Sequence, residues 1–137
     1  MAYGDDATVS RVLAACTTWA VVGLSNDPFR AAYGVGRFLK EHGKRVVPVH
    51  PRAPSVFGEE GYTSLGDIPF PVDGVDVFRR SSEAGRHADE AVEIGAKAVW
   101  FQLGVVDEEA GARAEAAGLD VVMDRCPMID WGRLGPR

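Results

Sequence analysis

Cysteine, long apolar runs and surplus positive charge are all scarce in this chain, and each shortage removes a class of protein. Cys16 and Cys126 are the only cysteines, too few for a disulfide framework, so a cytoplasmic protein is the default expectation. No apolar run approaches the roughly 20 residues of a membrane-spanning helix. The opening stretch, MAYGDDATVSR, is acidic and polar and is not expected to act as a signal peptide. Lys and Arg number 15 against 20 Asp and Glu, for a net charge of -5. That balance argues against a general binder of nucleic acid or of anionic membrane. Any anion site must therefore be a local cluster of cations. Neither H-x-x-x-H nor C-x-x-C occurs, so no metal site is signalled. The phosphate-loop pattern G-x-x-x-x-G-K-[ST] is also missing.

What is present is an alternation of helix and strand patterns over 137 residues, a length that predicts one domain. Three segments, FLKEHGKRVVPV, AVEIGAKAVWF and EAAGLDVVM, share one order: helix end, glycine, one or two polar or small residues, strand. Gly43, Gly95 and Gly118 fall just past each helix, where a left-handed backbone favours glycine. Helical spacing precedes them, at Val35, Phe38, Leu39 and His42, at Ala88, Ala91 and Val92, and at Ala110, Ala114 and Ala117. A leading helix is expected over Asp6–Ala15, and Ser82 and Asp107 are candidate N-caps for the two later helices. Strands are expected at Trp19–Gly23, Arg45–Val49, Val75–Phe78, Ala98–Phe101 and Leu119–Met123. Each is a short continuous apolar run, as in strands covered on both faces. The segment from Pro51 to Pro71 reads as a loop with a helical turn near Ser64–Asp67. The expected architecture is α/β, a three-layer Rossmann-like fold with a mostly parallel five-stranded sheet and helices on both faces. The expected strand order is 3-2-1-4-5.

In such a sheet, ligands sit beyond the carboxyl ends of the strands, near the point where strand order reverses. Those ends are Gly23-Leu24-Ser25, His50-Pro51-Arg52, Phe78-Arg79-Arg80 and Gln102-Leu103-Gly104. The first offers backbone N–H groups and a hydroxyl. The second and third offer three arginines, and Arg30 lies in the loop between the first strand and its helix. The start of that helix, near Tyr33 and Gly34, adds a dipole that favours an anion. Together these residues form a candidate phosphate site. The nicotinamide fingerprint does not fit it, because Gly23, Gly34 and Gly36 are too widely spaced and the second strand ends without an acid. NADP stays open, since Arg52 could meet a 2′-phosphate.

The set AVVGLS, FLKEHGKRVVPVHPRA, VDVFRR, AVWFQLG and AGLDVVMDRC closely resembles the small stand-alone coenzyme A-binding proteins. These are similar to the nucleotide-binding domain of the succinyl-CoA synthetase α subunit. The resemblance runs from about Thr18 to Cys126. It implies that Gly23, Leu24 and Ser25 carry coenzyme A phosphates, and that Pro51 and Arg52 stand in the turn after the second strand, with His50 where asparagine is usual. It also implies that Phe78, Arg79 and Arg80 flank the adenosine part. The pyrophosphate and 3′-phosphate of coenzyme A match several arginines and a glycine turn better than a neutral substrate would.

The synthetase reaction needs a phosphorylated histidine and further domains, so the resemblance implies binding of coenzyme A or an acyl-CoA rather than catalysis. An NADP-dependent or acyl-CoA-handling enzyme is the alternative. A regulatory subunit that senses coenzyme A for an unidentified protein partner is another. Among single residues, His50 reads as structural, and Phe78 as either core or adenine contact. One of Arg79 and Arg80 should face solvent, since neighbours on a strand point opposite ways. Cys16 reads as core. Cys126 is expected near the cleft mouth, where Arg125 would favour its thiolate and a mixed disulfide with the thiol of coenzyme A is conceivable.

Overall fold

A computed structural model describes residues 3–137. The first helix, α1 (Asp6–Ala15), starts where the Asp5 side chain accepts the Thr8 N–H at 2.8 Å. Strand β1 (Thr18–Val22) follows, then α2 (Ala31–Glu41) and β2 (Arg45–Val49). A long loop carries a single 3-10 turn, Leu65–Asp67, before β3 (Gly74–Val77). Next come α3 (Ser81–Glu93), β4 (Ala98–Phe101), α4 (Glu108–Ala116), β5 (Asp120–Val122) and α5 (Pro127–Leu134). All four strand pairings are parallel.

Alternation along each strand divides the core. Ala20, Val22, Val75, Val77, Val99 and Phe101 face one side, under Ala84, Ala88 and Ala91 of α3 and Ala110 and Ala114 of α4. Trp19, Val21, Val46 and Trp100 face the other, under Val9, Val12 and Leu13 of α1 and Val35 and Leu39 of α2. The rings of Trp19 and Trp100 meet edge-on at 6.1 Å, both fully buried. The small residues on α3 and α4 let those helices approach the sheet closely, and the indoles fill the deeper opposite layer. The expected glycine stops hold: Gly43, Gly95 and Gly118 have φ of 86°, 75° and 96°. After each, an N–H reaches back five residues, Lys44 to Leu39, Ala96 to Ala91 and Leu119 to Ala114, at 3.0 to 3.1 Å.

The strand order is β2-β1-β3-β4-β5, not 3-2-1-4-5. Pro48 carries the physical reason. A proline has no N–H for a ladder and belongs on an edge strand. Its carbonyl faces outward, accepting the Tyr62 N–H at 3.0 Å, so its missing N–H faces outward too. With β2 at the edge, β3 must pair on the far side of β1. The reversal point therefore lies between β1 and β3, beside Gly23.

Two further expectations are corrected. Ser82 is not an N-cap: α3 begins at Ser81 after Arg80, which makes no side-chain cap bond, whereas Asp107 does cap α4 by accepting the Ala110 N–H. Cys126 is not at a cleft mouth. It is 4% exposed, precedes the unforeseen α5, and packs in the α1–α2–α5 layer. Its neighbour Arg125 turns away to bond Asp130 and the Gly4 carbonyl.

Candidate phosphate-binding cleft

A cleft of about 860 Å³ opens over the carboxyl ends of β1, β2 and β3. Its floor is the turn after β1. Gly23 has φ of 101°, and a Cβ there would stand 3.3 Å from both Cβ and the carbonyl oxygen of Phe78. Its N–H is not free for a ligand, because it donates to the Val49 carbonyl at 2.8 Å. Leu24 buries its side chain completely and anchors the turn from below. The next residues build a rigid loop. Ser25 Oγ accepts the Asp27 N–H at 3.3 Å, Asp27 Oδ1 accepts the Phe29 N–H at 3.0 Å, and Asn26 Nδ2 donates to the Ser55 carbonyl at 2.9 Å.

Helix α2 then starts at the cleft wall with Arg30 as its N-cap and no side-chain cap bond. The N–H groups of Ser25, Asn26, Ala31 and Ala32 find no acceptor among the described residues, and all four residues line the cleft. Uncapped N–H groups at a helix start, aided by the helix dipole, favour a bound anion.

The opposite wall is the turn His50-Pro51-Arg52-Ala53. The Ala53 N–H closes it onto the His50 carbonyl at 2.8 Å, and the Arg52 N–H donates to His50 Nδ1 at 3.1 Å. Burial, then the charges of Arg52 and Arg79, hold the His50 pKa below its ordinary value. The ring is thus neutral near pH 7, and with Nδ1 accepting, its proton sits on Nε2. Nδ1 does what an asparagine side-chain oxygen does in such a turn.

Three arginines reach the cleft. Arg30 lies 3.6 Å from Asp27 and Arg79 bonds Glu83 at 3.0 Å, while Arg52 has no carboxylate partner among the described residues. On β3, Asp76 is fully buried, and the side-chain amide of Gln102 lies 3.1 Å from both its carboxyl oxygens. Burial raises the Asp76 pKa well above its ordinary value, which favours the protonated carboxyl.

The structure therefore brings Gly23, Ser25, Arg30, Pro51, Arg52, Phe78 and Arg79 to one cleft. Other candidates stand off its wall. Leu24 is core, Tyr33 packs its ring on Phe57 at 4.9 Å, and Gly34 faces open space one turn along α2. Arg80 points to solvent and pairs with Glu83 at 3.2 Å. Asn26, Asp27, Ala31, Ala32 and Pro54 also line the cleft but were not singled out from sequence. The Asn-Asp-Pro run directly after the glycine turn was the available signal, since those residues favour tight loops.

The profile of the coenzyme A-binding domain family matches residues 17–132. The chain is 36% identical over 120 residues to an uncharacterised protein of Bacillus subtilis, YneT, covering 88% of this chain and 89% of that one. It is 46% identical over 55 residues to the α subunit of the ADP-forming acetate–CoA ligase II of Pyrococcus furiosus, spanning 39% of this chain but 12% of that subunit. A solved Thermus thermophilus protein superposes with a TM-score of 0.87 at 40% identity, covering 96% of this chain and 99% of that one. The chain belongs to the coenzyme A-binding domain family. No helix among the described residues is long and apolar enough to cross a membrane.

Proposed function

We propose that the cleft binds coenzyme A or an acyl-CoA by its phosphates and performs no chemistry on it. The observation that carries this reading is the convergence of N–H groups at the start of α2 with Arg52, all without an acceptor or carboxylate partner among the described residues. A polyanionic nucleotide satisfies both at once. Family membership supports coenzyme A as the nucleotide. Arg30 and Arg79 are held by Asp27 and Glu83, each with further donor groups for a second phosphate.

The absence of chemistry is inferred from how the cleft's own groups are used. Apart from the arginines, the titratable side chains on its wall are Asp27 and His50. Asp27 is occupied by the Phe29 N–H and Arg30. His50 has its one basic nitrogen turned onto the Arg52 N–H. Neither is free as a general base, which must reach a substrate proton at hydrogen-bond distance. The ligase relative suggests where such a domain also serves, but this chain spans only 12% of that subunit.

Titration calorimetry with coenzyme A, acetyl-CoA, NADP and NAD tests the reading. The expected result is binding of the first two and none of NAD at equal concentration, with intact acetyl-CoA recovered afterwards. Equal binding of NAD, or turnover of acetyl-CoA, would overturn it. An NADP-dependent enzyme is the competing reading, favoured by Arg52 standing at the end of β2 where a 2′-phosphate would lie. Preferential NADP binding would establish it.

A further inference from the structure

Among the lining residues of the cleft, His50 alone carries a side chain that titrates near neutral pH. The residue is half-buried, and the charged groups around it are mostly cations. Arg52 stands two residues on in the same turn, Arg79 lines the cleft from beyond β3, and Arg30 lines it from the loop before α2. Asp27 is the only carboxylate on the cleft wall, and the Phe29 N–H and Arg30 engage it. Toward the segment beyond β2, His50 meets backbone, donating its own N–H to the Tyr62 carbonyl at 3.0 Å. Burial, then the charges of Arg52 and Arg79, disfavour the imidazolium, and no carboxylate among the described residues supports it. The neutral ring has one structural use. Its Nδ1 accepts the Arg52 N–H at 3.1 Å, inside a turn that the Ala53 N–H also closes onto the His50 carbonyl at 2.8 Å.

An anion in the cleft reverses this balance. Phosphate oxygens on Arg52 and Arg79 offset the charges that oppose protonation of His50, and they bring the counter-charge that the chain does not supply. An oxygen that accepts the Arg52 N–H also comes within reach of the imidazole, because that N–H lies against Nδ1. A protonated Nδ1 can no longer accept from Arg52 and donates instead. The ring N–H and the freed Arg52 N–H then serve the same anion, while the Ala53 bond keeps the turn closed. Hydrogen bonds between charged partners are roughly twice as strong as the neutral kind given up, so the exchange runs toward the imidazolium. We propose that the cleft takes up coenzyme A together with a proton, and that His50 receives it. The proton comes from solvent and returns there when the ligand leaves, and no bond of the ligand is made or broken. This rests on the coenzyme A reading of the cleft, and it adds a binding residue that makes affinity depend on pH. Because the coupling is reciprocal, protons tighten coenzyme A binding as much as coenzyme A tightens proton binding. Affinity attributable to His50 therefore rises as pH falls through the histidine range.

Coenzyme A carries a phosphate monoester that itself titrates at about pH 6, so the test sets two proteins against one ligand. His50→Asn keeps an acceptor for the Arg52 N–H and does not titrate. Calorimetry at about pH 6.5, repeated in buffers of different ionisation enthalpy, counts the protons taken up on binding. The wild type is expected to take up more protons per coenzyme A than His50→Asn. Its affinity relative to the variant should rise about fivefold to tenfold between about pH 7.5 and about pH 5.5. A second measurement does not require the variant to bind. The chain has three histidines, His42, His50 and His87, and the ring C–H resonances of His50 are identified by their loss in His50→Asn. In the wild type those resonances should titrate at higher pH with coenzyme A than without it. Equal proton uptake by the two proteins, or a His50 titration that coenzyme A leaves unmoved or lowers, overturns the proposal and leaves the coenzyme A reading standing. A wild type that binds no coenzyme A overturns that reading, and the proposal with it.

Discussion

The two ends of the sheet are built to opposite standards. At the amino ends, polar groups are satisfied within the chain. Asp73, just before β3, accepts the Thr17 N–H at 3.0 Å, the Thr17 hydroxyl at 2.8 Å and the Thr18 N–H at 3.0 Å, with Lys97 at 3.5 Å. The left-handed positions among the connections there, Gly43, Gly95 and Gly118, are all glycine. At the carboxyl ends, the N–H groups of Ser25, Asn26, Ala31 and Ala32 are unbonded and Arg52 is unpaired among the described residues. That end also holds two non-glycine residues with left-handed backbone, Ala53 at φ 47° and Asp124 at 56°. Unmet hydrogen bonds and backbone strain both cost stability, so their presence at this end supports the ligand site proposed there.

Substitutions can separate the two standards. The largest effect is expected at Gly23, which bears on stability and, in the proposed site, on binding as well. In Gly23→Val the backbone strain alone costs about 1–3 kcal/mol, and the new side chain meets Phe78. Denaturant unfolding should show that loss while coenzyme A binding disappears. Retained affinity would place the anion somewhere else. Asp73→Ala strips the acceptor from three donors at the amino end, and hydrogen bonds to a charged group contribute about 1.5–3 kcal/mol each where well formed. Unfolding free energy should fall by at least one such bond with coenzyme A affinity unaltered. A matching loss of affinity would show that the two ends are coupled. Arg52→Ala is the mirror image: a loss of about 1.5–3 kcal/mol in binding and an unchanged melting temperature. An unchanged dissociation constant would return Arg52 to the solvent.

Local signals were legible in the sequence and distant ones were not. The three helix stops could be read because a glycine after an apolar helix face needs only its neighbours to explain it. The strand order turned on Pro48, a single residue whose meaning depends on which strand lies beyond it. Cys126 was misplaced because α5 follows it and covers it, and the short helix begins with Pro127 rather than with an apolar repeat. In the cleft, the arginines at strand ends were legible, since the carboxyl edge of a parallel sheet dictates their position. Arg79 and Arg80 then parted as adjacent residues do, one to the cleft and one to solvent. Asn26 and Asp27 were passed over because their part is to shape backbone, which side-chain chemistry does not announce.

The smallest expected effect is on pH, and it ranks the two ends in order of acid sensitivity. Burial raises the pKa of Asp73, but the bonds from Thr18 and Thr17 outweigh it and hold the carboxyl below its ordinary 3.8. A depressed carboxyl stabilises the fold above that value, and the contribution is lost only as pH falls through it. His50 has its pKa depressed from 6.5 by burial and by Arg52 and Arg79. A folded state that keeps a histidine neutral is at its full stability above 6.5, and loses ground as the unfolded chain takes up the proton below that pH. The carboxyl end should therefore weaken first, as pH falls below 6.5, while the amino end holds until pH falls below 3.8. His87 on α3 shares the upper window, because burial depresses it too despite the opposing charge of Glu90. His50→Asn separates the two: the amide oxygen still accepts the Arg52 N–H, and it does not titrate. Urea unfolding at stepped pH should show a shallower decline for His50→Asn than for the wild type in the upper window, and the same decline below it. Identical slopes in the upper window would assign that acid sensitivity wholly to His87 and leave the turn that carries Arg52 indifferent to pH.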